Sequence, residues 1–235
     1  MSIVVMFFAI LAGLAGWWLA RQRLFAKPWL EQGVIDDGVP EFRLSHDPAK
    51  RVGLGFLLAV IGTLFMLLIG AWFMRRDLGD WQPLPIPDLL WFNTAALVLS
   101  SLALEWTQRA ARRDSLFELR AGLALAAIFA VAFLVGQLFA WQQLMASGFV
   151  VAGNPANSFF YLVTGLHGLH IVGGLVALGW AAIKAARATD TGAVRLNVEL
   201  CSTYWLFMLF VWVVLFALLA GWASQFVDFC IELLS

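Results

Sequence analysis

Residues 121–183 contain no Asp, Glu, Lys or Arg, and such a run cannot form the mixed surface of a water-soluble domain. The rest of the chain agrees: of 235 residues, 62% are hydrophobic and 13% charged, so the solvent for most side chains is lipid. Lys and Arg equal Asp and Glu at 15 each, leaving no basic excess for nucleic acid and no acidic tail.

A spanning helix needs about 20 mostly apolar residues, since each rises about 1.5 Å through about 30 Å of hydrocarbon. Six stretches pass that test: 2–20, 52–74, 89–107, 121–141, 159–183 and 198–224. Between the fourth and fifth, residues 142–158 hold Gln, Gly, Asn and Pro and read as an uncharged loop. The expected fold is therefore an all-α polytopic membrane bundle of six transmembrane helices. Residues 1–20 form an N-terminal transmembrane helix, 21–51 a cytoplasmic linker broken by Pro28, Gly33, Gly38 and Pro40, and 52–235 a five-helix body.

Lys and Arg number six, four and three in the segments after the first, third and fifth spans, but two and none after the second and fourth. The positive-inside rule then places those three segments in the cytoplasm and both termini outside. No cation precedes the first span and Arg21, Arg23 and Lys27 follow it, the charge order of a retained helix, not of a signal peptide. Trp17, Trp18, Trp29, Trp72, Trp81, Trp91, Trp141, Trp180 and Trp222 lie near span ends, as in an interfacial aromatic belt. Trp205 and Trp212 are deeper and seven apart, hence on one helix face, against protein or a lipid tail.

Polar groups inside hydrocarbon persist where they find partners, and each is a candidate for function. The fifth span carries Thr164, His167 and His170, the fourth Gln137, the third Asn93, Ser100 and Ser101, and the sixth Glu199, Ser202, Thr203 and Tyr204. Two histidines three apart are offset by roughly 60° on a helix and cannot grip one iron from opposite faces. His46 lies in the linker, so the pair reads as hydrogen-bonded and structural, not as metal ligands. Cys201 and Cys230 have no companions at a metal-ligand spacing and read as structural. No catalytic, cofactor-binding or metal-binding residue is assigned. Glu105 and Glu199 sit at span ends and no acid or Lys lies at the midplane, which disfavours an autonomous pump or transporter. Gly165, Gly168, Gly173 and Gly174 read as a helix-packing surface of the fifth span.

The stretch Thr164-Gly165-Leu166-His167-Gly168-Leu169-His170 resembles the Thr-Gly-x-His-Gly-x-His helix of the cytochrome c oxidase subunit III family, which extends to bacterial quinol oxidases. Glu199 to Trp205 with Trp212 is similar to that family's last helix, Asn93 with Ser100 and Ser101 to its paired-serine span, and Gln137 to a glutamine in the next. The likeness covers residues 52–224 in order. It implies a non-catalytic subunit III of a terminal oxidase in a bacterial cytoplasmic membrane, bound to the haem-copper catalytic subunit I and to subunit II. Haem and copper would sit in the partner. This chain would hold phospholipid in a cleft and support proton uptake at the cytoplasmic face. A subunit III-like protein of nitric oxide reductase is the alternative within the family, and the electron donor, cytochrome c or quinol, stays open.

Three positions depart from the family pattern. Ile61 stands where a buried acid is common in the first core helix, and Leu206 and Leu209 stand where the last helix commonly has His and Asp. A less polar interior is expected, with His167 and His170 leaning on hydroxyls, Gln137 or backbone carbonyls.

Overall fold

The computed structural model describes residues 47–76, 78–82 and 84–221, so the first span, the linker to residue 46, Trp222 and Cys230 lie outside the described residues. Within them five helices are long and apolar enough to cross a membrane: α1 (Asp47–Arg76), α2 (Leu89–Arg112), α3 (Leu116–Ala146), α4 (Pro155–Arg187) and α5 (Gly192–Leu219). The chain is a multi-pass membrane protein.

Each helix outruns its apolar core. α3 begins five residues before the predicted span and α2 continues through Arg109 and Arg112, because a helix keeps its backbone bonds while crossing the polar interface. α1 starts at Asp47, inside the segment assigned to the linker, with Pro48 in the first turn, where its missing N–H costs nothing. α4 starts where Asn154 accepts from the Ala156 N–H ahead of Pro155 at N1. α5 ends earlier than the predicted span, at Leu219, where Gly221 takes φ +73° and the Gly221 N–H returns to the Leu218 carbonyl.

Two compact units divide the chain, Met1–Met66 and Leu67–Ser235. In the described part of the first, Leu58, Ile61 and Phe65 form the buried face of α1. Ile61 therefore occupies a buried position where an acid would need a partner.

In the second unit α2 packs on α3 and α5, and α4 packs on α3 and α5, closing a ring of four antiparallel helices. The buried positions explain the ring. Along α3 they run Leu119, Leu123, Ala126, Ala130, Phe133, Gln137, Ala140, Leu144, alternating steps of four and three. α4 repeats the pattern through Phe160, Thr164, His167, Ile171, Gly174, Leu178, Ala181 and Ala185, and α5 through Val198, Cys201, Trp205, Met208, Trp212 and Leu215. This 3.5-residue period holds one seam against a neighbour along the whole helix, as in left-handed bundles.

The two ends are pinned differently. At one end the α2–α3 turn meets the α4–α5 turn: the Thr191 hydroxyl donates to the Asp114 carboxylate, and Asp114 itself takes φ +55°. Arg120 crosses from α3 to the end of α4, donating from Nε to the Ala185 carbonyl at 3.0 Å and from Nη2 to those of Ala186 and Ala188 at 3.3 and 3.1 Å. At the other end Asn154 Nδ2 donates to the Gln82 carbonyl at 2.7 Å, and Trp81 packs edge-to-face with Trp72 and at a tilt against Phe159.

Candidate functional site

Five of the polar side chains predicted inside the membrane, Asn93, Ser100, Gln137, Thr164 and His167, are buried on the seam of the ring and face a neighbouring helix, and Thr107 joins them. A polar group in this setting must bond within the protein.

One arrangement recurs three times. Trp205 Nε1 on α5 donates to the Ser100 hydroxyl on α2 at 2.8 Å, and that hydroxyl donates to the Ala126 carbonyl on α3 at 2.8 Å. Trp212 Nε1 donates to the Thr94 hydroxyl at 2.9 Å, which donates to Leu90 O. Trp141 Nε1 donates to the Thr164 hydroxyl at 3.1 Å, which donates to Phe160 O. An indole can only donate and a hydroxyl can do both, so each relay satisfies its donors without a charge. The Ser100 relay binds three helices at one point.

His167 lies fully buried at the centre, its ring 5.5 Å from Phe133 and 5.0 Å from Trp212. Its Nε2 donates to the Met208 carbonyl on α5 at 3.1 Å. His170, one turn on and half-exposed, donates from Nδ1 to Leu166 O of its own helix at 2.7 Å. The Tyr204 hydroxyl donates to the His170 carbonyl at 2.8 Å. Both histidines thus bond backbone carbonyls, and they do not converge on one point. Asn93 Nδ2 donates to Gln137 Oε1 at 3.2 Å across the α2·α3 seam.

Not every candidate joins this network. Ser101 bonds only its own helix, at Leu97 O. Leu206 is exposed, so the leucine there leaves the seam untouched. The four glycines divide as well. A Cβ on Gly174 would lie 2.6 Å from the Trp205 ring and 2.7 Å from that of Tyr204, and one on Gly165 would lie 3.4 Å from Trp141. Gly168 would make an ordinary contact with Leu134 at 3.7 Å. Gly173, assigned above to helix packing, is exposed and meets nothing within 4 Å among the described residues, because it lies one position off the seam. Thr94, Thr107 and Arg120 were missed. Thr94 and Thr107 stand near the two ends of their predicted span, where a hydroxyl meets water as readily as protein, and Arg120 reads from sequence only as a topology charge.

With this geometry in place, residues 54–224 match the family model for cytochrome c oxidase subunit III. The chain belongs to the cytochrome c oxidase subunit III family. It is similar to a probable cytochrome c oxidase subunit 3 of Mycobacterium bovis, 31% identical over 60% of this chain and 71% of that protein. A probable cytochrome c oxidase subunit 3 of Nocardia farcinica is 32% identical over 72% of this chain and 86% of its own. The cytochrome c oxidase subunit 3 of Synechocystis is 28% identical over 84% and 89%. Membership makes this chain a subunit III of a haem-copper oxidase. The matched region starts within α1 and ends just past α5, so it takes in the whole ring and every polar partner described above.

Proposed function

We infer that this chain is the structural, non-catalytic subunit of its oxidase complex and carries no redox centre of its own. The observation that carries the reading is the use of the polar seam. Its hydroxyls, indoles and imidazoles bond across helices or back to carbonyls, which is how side chains stiffen a scaffold. Groups that bind a metal would converge on one point, and His167 and His170 bond carbonyls on two different helices. Haem and copper belong to the partner, subunit I, with subunit II beside it. The bundle's outer face supports that subunit, and phospholipid fills the remaining apolar surface. The cationic ends of α2 and α4, with Arg109, Arg112, Lys184 and Arg187, face the cytoplasm of a bacterial inner membrane, with both termini outside and the N-terminal span an added anchor. On that side the subunit aids proton uptake by its partner.

The test is affinity purification of the tagged chain in mild detergent, with the visible spectrum, metal content and oxygen uptake of the product. Haem and copper together with oxygen uptake are expected in the purified complex, with haem and copper staying on the partner subunits when this chain is stripped away. Haem with non-haem iron and no copper would move the chain to nitric oxide reductase. A colourless chain eluting alone would overturn the reading.

A further inference from the structure

Three polar residues of α2, Asn93, Ser100 and Thr107, are spaced by sevens and lie buried along one line. Each meets α3 at a particular place. The Asn93 amide and the Thr107 side chain sit so close over Gly136 and Gly122 that a Cβ at either glycine would overlap them. The fourteen residues from Asn93 to Thr107 match the fourteen from Gly122 to Gly136, as an antiparallel pair requires. Midway along the same α3 row stands Phe129, at the level of Ser100, the smallest of the three, whose hydroxyl reaches the Ala126 carbonyl instead.

The spacing of the apolar seam leaves a slip of one heptad open, since Leu90, Leu97 and Leu104 on α2 and Leu119, Ala126, Phe133 and Ala140 on α3 all recur every seven residues. The polar row does choose. A slip either way brings Phe129 opposite Asn93 or Thr107 and strands a buried amide or hydroxyl against a ring. We propose that Asn93, Ser100 and Thr107 form a register key, with Gly136, Ala126 and Gly122 as its lock, that fixes how the α2–α3 hairpin pairs within the membrane. Gln137 supports the same role. Its Oε1 accepts from Asn93, while its buried Nε2 meets no partner among the described residues, the kind of sacrifice a core polar residue makes for register.

The full chain tests this, with Cys201→Ala and Cys230→Ala as background and Ala126→Cys as reporter. A second cysteine replaces Ala103, which lies in register with position 126, or Ala96 or Ala110, one heptad to either side and displaced by about 10 Å along the axis. With the key intact, the 103 pair alone forms a disulfide on mild oxidation in membranes. In the triple variant Asn93→Leu, Ser100→Ala, Thr107→Val, the 103 yield falls at least threefold and the 96 or 110 pair appears. A Leu97→Ala variant, which weakens packing and keeps the key, stays in register. The proposal fails if the triple variant still forms only the 103 pair at the original yield. It fails equally if all three pairs vanish, since the key would then hold the hairpin together without selecting its register, or if Leu97→Ala slips.

Discussion

At position 174 the space left by the missing side chain is filled from α5, with the Trp205 and Tyr204 rings nearer than any real Cβ contact allows. Position 173, its neighbour in sequence, points away from the seam. The same exchange should therefore give opposite results. Gly174→Ala should destabilise the bundle by about 1–3 kcal/mol, the cost of overpacking a well-filled core. Gly173→Ala, freed of that conflict, should be neutral or stabilise by up to about 1 kcal/mol through helix propensity. Thermal midpoints of the two variants in detergent read the difference, and equal losses would disprove the placement of the seam. From sequence Gly165, Gly168, Gly173 and Gly174 look alike, because lipid and protein both favour apolar neighbours and hydropathy does not separate them. The polar residues were legible for the opposite reason: a buried hydroxyl, amide or imidazole stands out against hydrocarbon. Their partners were not. Nothing in the order of residues ties Trp205 to Ser100, 105 positions away, and the contact exists because α5 closes the ring onto α2.

The spans of the helices could be read from apolar run length, and their ends could not, because charged residues stop a hydropathy count but not a helix. Arg120 shows what the extra turns do. It places a cation and its N–H donors on the last carbonyls of α4, where the helix dipole is negative and the backbone lacks intrahelical partners. The end of α1 is closed by another pair. Arg75 donates from Nη1 to Asp80 Oδ1 at 2.7 Å, with Nη2 on the other oxygen, and this hydrogen bonding holds the Asp80 carboxyl below its ordinary value. A depressed carboxylate stabilises the fold above its unfolded pKa, near 4, and loses that contribution as pH falls through the lower folded value. Wild type and Asp80→Asn should therefore differ slightly in thermal midpoint near pH 7 and converge below about pH 4. Because the pair is in water, raising salt to about 1 M should shrink the difference at neutral pH. A gap that persists in acid would mean that Asp80 acts by some route other than its charge.

For the whole molecule, the 3.5-residue seam is the feature that organises everything else, and it is the least visible in the sequence. In a soluble bundle the outer face is polar and the seam shows as a stripe, whereas here both faces are apolar and the period disappears. Six spans are expected from the sequence, the five within the described residues are present in the expected order, and the ring that the last four form emerged only with the fold. Two alanines of α3 put this to the test. Ala130 is fully buried on the seam and Ala132 is exposed, yet they are two residues apart and equally apolar. Ala130→Leu adds volume at a fully buried seam position and should cost about 1–3 kcal/mol. If the ring is the scaffold on which the oxidase assembles, that loss should cut the yield of haem-containing complex about tenfold, the factor that about 1.4 kcal/mol sets. Ala132→Leu adds the same atoms to a lipid-facing position and should leave the yield within about twofold, well under 1 kcal/mol. Equal yields for the two would mean that assembly does not depend on the ring. A loss confined to Ala132→Leu would place the docking face on the outer side of α3, since a helix packed there would meet the added side chain directly.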